Sequence, residues 1–243
     1  MQHEDQIRLR RRLEPLNNFG DMMKIVALIP FWDSYETNEF RLKKIAGRYL
    51  LSYTLEKLNS IESIQNSFIY SSSDSVKKYL ESHLKYTYLE RSITLDDINV
   101  SIETVIESFL HKVDADIVIL LHPTSPLLSE NSIQKGLDYI LHEKFDSCFA
   151  AVKHKKFAWF QSKPLNYDLK KDVPAIKSLD PVFFEQSSLY IFTVKSFLKS
   201  KHRLSGSIKA IEINHLEGIE VRSEIDSELV QLIVNSGMNS RIS

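Results

Sequence analysis

Short, almost wholly apolar runs, each leading into a helical stretch, set the tightest limit on how this chain can fold. Residues 24–30 read KIVALIP and residues 117–121 read IVILL, with no polar residue at alternate positions. A strand without that alternation is buried on both faces. Residues 66–70, 147–152, 184–192 and 209–213 read as further strands, and residues 116–121 as the central one. Helices are predicted over 49–58, 75–82, 100–110, 129–143 and 223–235. Leu50, Leu51, Leu55 and Leu58 share one face of the first of these, the stripe a helix lays against a sheet. Doubly buried strands alternating with helices predict an α/β fold of three layers, a mostly parallel sheet with helices on both faces.

Hydrophobic residues make up 43% of the 243, enough for one large core, and the domain is expected to span residues 23–238. No apolar run comes near the roughly 18 residues of a membrane helix, so no membrane partner is expected. A formal charge of −1 gives no electrostatic footprint for nucleic acid. The single cysteine, Cys148, leaves no intrachain disulfide and suits a reducing compartment, so a cytoplasmic location is expected. The eight histidines show no metal-ligand spacing. Residues 1–22 stand apart, crowded with Arg8, Arg10, Arg11 and Arg12 and without apolar periodicity. They are expected to form a flexible basic leader, either simply solvated or an arm for a partner.

Polar residues gather after the strands. The first runs into Pro30, Phe31, Trp32, Asp33 and Ser34; the second into Ser71, Ser72, Ser73 and Asp74; the central one into His122, Pro123, Thr124, Ser125 and Pro126. Such residues make turns and helix caps. They also line the crevice beyond the carboxyl ends of an open α/β sheet, where ligands bind. Three clusters at three strand ends point to one shared crevice.

These segments resemble the acylneuraminate cytidylyltransferases and their relatives that activate keto-deoxy sugar acids. Residues 42–55, LKKIAGRYLLSYTL, are similar to the family's IKPLAGKPLIAYTI, and Ser72-Ser73-Asp74 to its STD. Residues 97–103, DINVSIE, match DTASSID in spacing, and residues 120–127, LLHPTSPL, match LLQPTSPL. Residues 185–192, EQSSLYIF, resemble ENGAIYIF, and residues 219–229, IEVRSEIDSEL, resemble IDIDTELDFKL. The set falls in the family's order and spans nearly all of residues 24–235.

The resemblance implies a nucleotide-diphospho-sugar transferase-like fold and transfer of CMP from CTP to an acidic keto-deoxy sugar, for surface glycan synthesis. It implies Asp97, Arg41 and Lys43 as catalytic residues. Pro30, Ser72, Asp74 and Arg91 would bind the nucleotide, and His122, Thr124, Ser125, Glu185 and Gln186 the sugar. Mg²⁺ would rest on Asp97, Glu220 and Asp226, since a triphosphate demands neutralising charge. Residues 153–183 would form a dimerisation arm, giving a homodimer.

Bland readings stand beside these. Asp97 precedes a predicted helix, whose N-terminus stabilises any carboxylate. Asp226 completes a Ser223-x-x-Asp226 capping box. His122 can donate a hydrogen bond to a sugar or simply pack.

The chain departs from the family chiefly in two places, besides His122 in place of a glutamine and Leu128 in place of an arginine. Between Pro30 and Gly47 there is no glycine, and Phe31, Trp32, Tyr35, Glu36 and Phe40 stand where the family keeps a basic, glycine-containing loop. Arg222 stands where the closing motif has its second spaced aspartate. Two readings follow: an active nucleotidyltransferase with unusual phosphate binding, or an inactive homologue that binds sugar or nucleotide or acts as a scaffold. A glycosyltransferase is a third, but its Asp-x-Asp pair should follow a strand, and Asp114-Ala115-Asp116 precedes one.

Overall fold

Strand β1 (Ile25–Phe31) is buried at every residue. The computed structural model, which describes residues 23–32 and 42–238, shows why. Ile25, Ala27, Ile29 and Phe31 join one apolar cluster, and Val26 and Leu28 another on the opposite face of the sheet. Strands β6 (Ile117–Leu121) and β10 (Val182–Thr193) divide their residues between the same two clusters. The side-chain period of 2 is therefore intact in these strands; both faces simply demand apolar residues.

Four further strands complete the large sheet on either side: β4 (Asn66–Ser71), β5 (Thr87–Glu90), β7 (Ser147–His154) and, at the far edge, β11 (Ile208–Ile213) make its seven strands with those above. The order is β11-β7-β10-β6-β1-β4-β5, and β10 alone runs antiparallel to its neighbours. One face carries α1 (Leu50–Ser60) and α3 (Glu130–Leu141), through Leu51, Leu55, Ile133 and Leu137. The other carries α2 (Ile102–Lys112) and α4 (Val194–Ser200), through Val105, Phe109 and Phe197. The three-layer, mostly parallel expectation holds. Gly136 lets α3 lie close on the sheet, because a Cβ there would sit 2.5 Å from Ile211 Cδ1.

A third cluster joins α5 (Glu224–Asn235) to Ile45, Leu50, Leu127 and Val221. Ile45 belongs to a small hairpin of β2 (Lys44–Ile45) and β3 (Arg48–Tyr49). Its turn residues Ala46 and Gly47 have φ of 50° and 80°, the geometry two-residue hairpin turns require. Serines and threonine cap the helices: the side chains of Ser101, Ser129, Thr193 and Ser223 accept the first-turn N–H of α2, α3, α4 and α5.

The sequence expectation needs correction at residues 75–82, where a 3-10 turn (Asp74–Tyr79) replaces the helix. Val76 is its one buried residue, so there is no apolar stripe to hold further turns. Residues 155–181 lie outside the large sheet and carry a second hairpin, β8 (Trp159–Phe160) with β9 (Lys163–Pro164). Residues 1–22, the expected basic leader, lie outside the described residues, as does Arg41. No helix among the described residues is long and apolar enough to cross a membrane.

Candidate functional site

The carboxyl ends of β1, β4 and β5 are level: Phe31 lies opposite Ser71, and Ser71 opposite Glu90. The chain leaving β5 turns Arg91 inward. Its N–H donates to the Ser71 carbonyl at 2.9 Å, and its side chain is wholly buried. Nη2 donates to the Phe31 carbonyl at 3.1 Å and to Asp96. The guanidinium lies 4.6 Å from the Trp32 ring centre and 5.9 Å from that of Tyr70, placing a cation over two π faces. Nε and Nη1 have no partner among the described residues. Burial pulls the Arg91 pKa down, with Asp96 acting against it, yet an arginine stays charged in a protein.

Asp96 ties this end together. It ends a 3-10 turn (Ile93–Asp96) capped by Ser92, and accepts from Ser72 Oγ at 2.5 Å as well as from Arg91. Ser72 and Arg91 are thus brought to one point, by a residue the motif reading passed over. Asp97, the residue it favoured, is exposed. Its carboxylate accepts from Asn99 N at 2.8 Å and Asn99 Nδ2 at 2.9 Å, and the backbone N–H of Asn99 holds it below the usual aspartate pKa. Its local partner is a turn, and the cap of α2 is Ser101. Asp74 is equally exterior, 3.3 Å from Lys77. Pro30 is buried within β1 opposite Tyr70.

The other end of the crevice is built on β6 and β10. His122 N donates to the Ser188 carbonyl at 3.2 Å, and the Thr124 carbonyl accepts Val221 N at 2.7 Å, fastening the closing segment to the end of β6. Ser125 is buried, its Oγ without a partner among the described residues. Beneath this loop, buried Glu217 accepts from Ser129 N and Ser132 Oγ at 2.9 and 2.6 Å. Lys57 Nζ donates to the Pro126 carbonyl, and burial lowers its pKa from 10.5 to about 8. These two residues support the loop, and no motif pointed to them.

A bulge in β10 shapes the rest. Glu185 faces Ala151 and Tyr190 faces Phe149, so residues 186–189 oppose a single residue of β7. The expected sugar residues there diverge. Glu185 accepts from Tyr190 Oη at 2.5 Å and lies 4.0 Å from Arg203, itself paired with Glu103. Gln186 Nε2 donates to the Phe184 carbonyl at 3.1 Å. Ser187 instead meets the closing segment: its N and Oγ donate to Glu220 Oε1 at 2.8 and 2.9 Å.

Arg222 completes that arrangement. Nε donates to Glu220 Oε2 at 2.7 Å, Nη2 to the same oxygen, and Nη2 to Ser187 Oγ at 2.9 Å. Its backbone N–H donates to Asp226 Oδ2 at 3.1 Å. Asp226 also accepts from Ser223 Oγ at 2.7 Å, while its own N–H donates back to Ser223 Oγ at 3.2 Å. The capping reading of Asp226 is therefore realised, and the Ser223 hydroxyl holds its carboxyl below the usual range. Lys43 pairs with Glu224 at the start of α5, so the 42–49 segment is tied to the closing helix.

The residues proposed for Mg²⁺ do not fit it. A hard cation needs oxygens converging on one point. Among the described residues the one group of three acidic or histidine ligands within 4.8 Å of one another is Glu56, Glu81 and His83, and the Arg48 guanidinium already bonds both of those glutamates at 2.6–3.1 Å. Asp97, Glu220 and Asp226 form no such group. Asp114 and Asp116 both hold Lys24 beside the amino end of β6, away from the crevice, which removes the Asp-x-Asp reading. Cys148 is buried and its thiol pushed up to about 12, so it is no nucleophile.

A seven-stranded sheet of this order, with helices on both faces and its polar side chains beyond the carboxyl ends, is a nucleotide-diphospho-sugar transferase-like fold. Solved structures share it. A CMP:2-keto-3-deoxy-manno-octonic acid synthetase complexed with CTP superposes with a TM-score of 0.64 over 88% of this chain and 99% of its own, at 15% identity. The 4-diphosphocytidyl-2C-methyl-D-erythritol synthase of Anaerococcus prevotii gives 0.62 over 88% and 97%, at 16% identity. The N-acylneuraminate cytidylyltransferase of Oncorhynchus mykiss is 22% identical over 192 residues, which are 75% of this chain and 44% of that relative. The sequence pattern of the cytidylyltransferase family matches residues 41–213, and the chain belongs to that family.

Proposed function

We propose that the protein is a cytidylyltransferase that moves CMP from CTP onto an acidic keto-deoxy sugar of the sialic-acid type. The anomeric hydroxyl oxygen attacks the α-phosphorus, the bond from that phosphorus to the bridging oxygen breaks, and pyrophosphate leaves while the hydroxyl proton passes to solvent. The observation that carries this reading is the buried Arg91, held with Asp96 and Ser72 at the level ends of β1, β4 and β5. A cation beneath the strand ends, with two nitrogens unpartnered among the described residues, gives this part of the crevice a positive charge suited to a nucleotide's phosphate oxygens. His122, Thr124 and the β10 bulge would border the sugar at the opposite end. The activity would serve glycan synthesis in the cytoplasm.

One observation favours the second reading, a homologue that binds without turnover: the carboxylates expected for a metal are engaged with Arg222, Ser187, Ser223 and Asn99. Pyrophosphate release from CTP, assayed with a panel of keto-deoxy sugar acids, separates the two. Release with one acid supports the enzyme. CTP binding by calorimetry without release from any acid supports the binding homologue.

The same reading includes a homodimer. Phe157, Trp159, Phe160, Leu165, Leu169 and Ile176 are 41–63% exposed on the 155–181 segment, an apolar concentration that monomers rarely leave uncovered. A second copy of this surface is its partner, and sedimentation of native chain against Trp159→Ser/Phe160→Ser tests it. A monomer in both cases removes the dimer.

A further inference from the structure

The two carboxylates of the closing segment are organised around an arginine. Glu220 has a side chain 8% exposed. Oε1 is taken by Ser187 N and Oγ, and Oε2 by Arg222 Nε and Nη2. Asp226 Oδ2 is taken by Arg222 N and Ser223 Oγ. Three of the four carboxylate oxygens of Glu220 and Asp226 therefore already accept N–H or O–H donors, leaving Asp226 Oδ1 as the one without a donor among the described residues. A divalent ion needing more than that single oxygen would have to displace those donors, and would sit beside the Arg222 guanidinium. Arg222 is itself 68% exposed, and Nη1 makes no hydrogen bond among the described residues.

We propose that Arg222 takes the place of a divalent cation in this crevice, so that the protein binds the anionic oxygens of its ligand without a metal ion. Those oxygens come from a nucleotide phosphate or from the carboxylate of a sugar acid; both are planar or near-planar oxygen pairs that a guanidinium edge matches. The identity of the ligand rests on the cytidylyltransferase reading above. The exclusion of the metal rests on the geometry alone, and the two fail separately.

The metal arm uses the full chain and Mn²⁺ alone, with free Mn²⁺ read by electron paramagnetic resonance. The native chain should show no stoichiometric Mn²⁺ at submillimolar concentrations. Arg222→Asp, which sets a third carboxylate beside Glu220 and Asp226, should bind Mn²⁺ at least tenfold more tightly than native. Arg222→Gln, a control for loss of the arginine, should not. Stoichiometric, tight Mn²⁺ binding by the native chain overturns the proposal, and so does an Arg222→Asp chain with a native-like melting curve and no gain.

The ligand arm titrates CTP, and separately N-acetylneuraminic acid, by calorimetry in EDTA and in Mg²⁺. Native CTP affinity should agree within threefold between the buffers. Arg222→Gln should lose at least tenfold for CTP if a phosphate is the anion, or for the sugar acid if its carboxylate is. A tenfold gain for native CTP on adding Mg²⁺ overturns metal independence and leaves the cytidylyltransferase reading standing. Absence of CTP binding in either buffer overturns that reading, and the Mn²⁺ titration then decides the role of Arg222 by itself.

Discussion

At one end of the crevice a guanidinium is sunk beneath the surface; at the other a guanidinium lies across the top. Arg91 is fully buried, with one nitrogen shared between Asp96 and a backbone carbonyl and two nitrogens unpartnered among the described residues. Arg222 is 68% exposed and bonded to a buried glutamate, a serine and, through its backbone, an aspartate. The first arrangement is held by the fold: three strand ends converge, and a cation there has left water for a pair of aromatic rings and a carboxylate. The second is local, with the interacting groups lying within the closing segment and the β10 bulge. A buried charge constrains both stability and ligand choice, whereas a surface charge can change the ligand chemistry with little effect on the fold.

The largest expected effect follows from that contrast. Arg91→Met leaves Asp96, 13% exposed, without its cation, and should cost about 3–5 kcal/mol, as breaking one side of a buried pair does. Arg222→Met should cost less, about 1–3 kcal/mol, because the buried Glu220 carboxylate keeps its Ser187 N–H and O–H donors when the exposed guanidinium is lost. Urea denaturation of both variants measures the ratio, and equal losses would break the comparison. Arg91→Met combined with Asp96→Leu sharpens it: with both charges gone, much of the loss should return.

Lys57, under the loop that joins the two ends, comes next. Its pKa falls from 10.5 to about 8 in the folded chain, so below about pH 8 the protein carries a charge that burial disfavours. Between pH 8 and 10.5 the unfolded chain holds a proton at this lysine that the folded chain has released. Stability therefore rises with pH across that window, by at most about 3 kcal/mol from this group. Lys57→Met should flatten the rise, as seen by comparing urea midpoints of the two proteins at pH 7 and pH 10. A native chain with the same slope as the variant would show the ammonium to be hydrated.

Ser223→Ala should cost about 1 kcal/mol by removing the cap of α5. It also frees Asp226 from a hydroxyl donor while keeping the Arg222 N–H. Thermal melts give the loss, and a loss several times larger would mean that the closing segment as a whole depends on this cap.

Legibility in the sequence followed the burial. The runs at β1 and β6 were readable because both faces of each strand are covered, which removes every polar residue from five to seven consecutive positions. Strand β5, TYLE, lies at the sheet edge and is partly exposed throughout, so no apolar run announced it. Helix α4 has two buried residues, Val194 and Phe197, too few to show a period. Ser72 and Arg91, which meet at Asp96, were legible through the family's motif order. Ser187 was not, because its contact with Glu220 depends on a bulge that places four residues of β10 against one of β7. No local pattern encodes that register shift.

The choice between Asp96 and Asp97 is narrower still, and Asp97→Asn gives the smallest expected effect on the fold. Spacing to Glu103 selected Asp97, but spacing along a chain does not say which of two adjacent carboxylates turns inward. The 3-10 turn that Ser92 caps decides it, directing Asp96 to Ser72 and Arg91 and leaving Asp97 to Asn99. Asp97→Asn should leave the thermal midpoint unchanged, since its contacts lie within one exposed turn, and should change CTP affinity by less than about twofold, because surface substitutions away from buried networks are nearly neutral. Asp96→Asn keeps the shape but removes the charge facing Arg91. It should weaken CTP binding at least fivefold, since it disturbs the buried guanidinium and the Ser72 that Asp96 joins to it, at the strand ends proposed to border the nucleotide. Calorimetry on the two variants decides the matter. If Asp97→Asn were the more damaging, the nucleotide would approach from the solvent side of the turn, and the buried end of the crevice would be only its support.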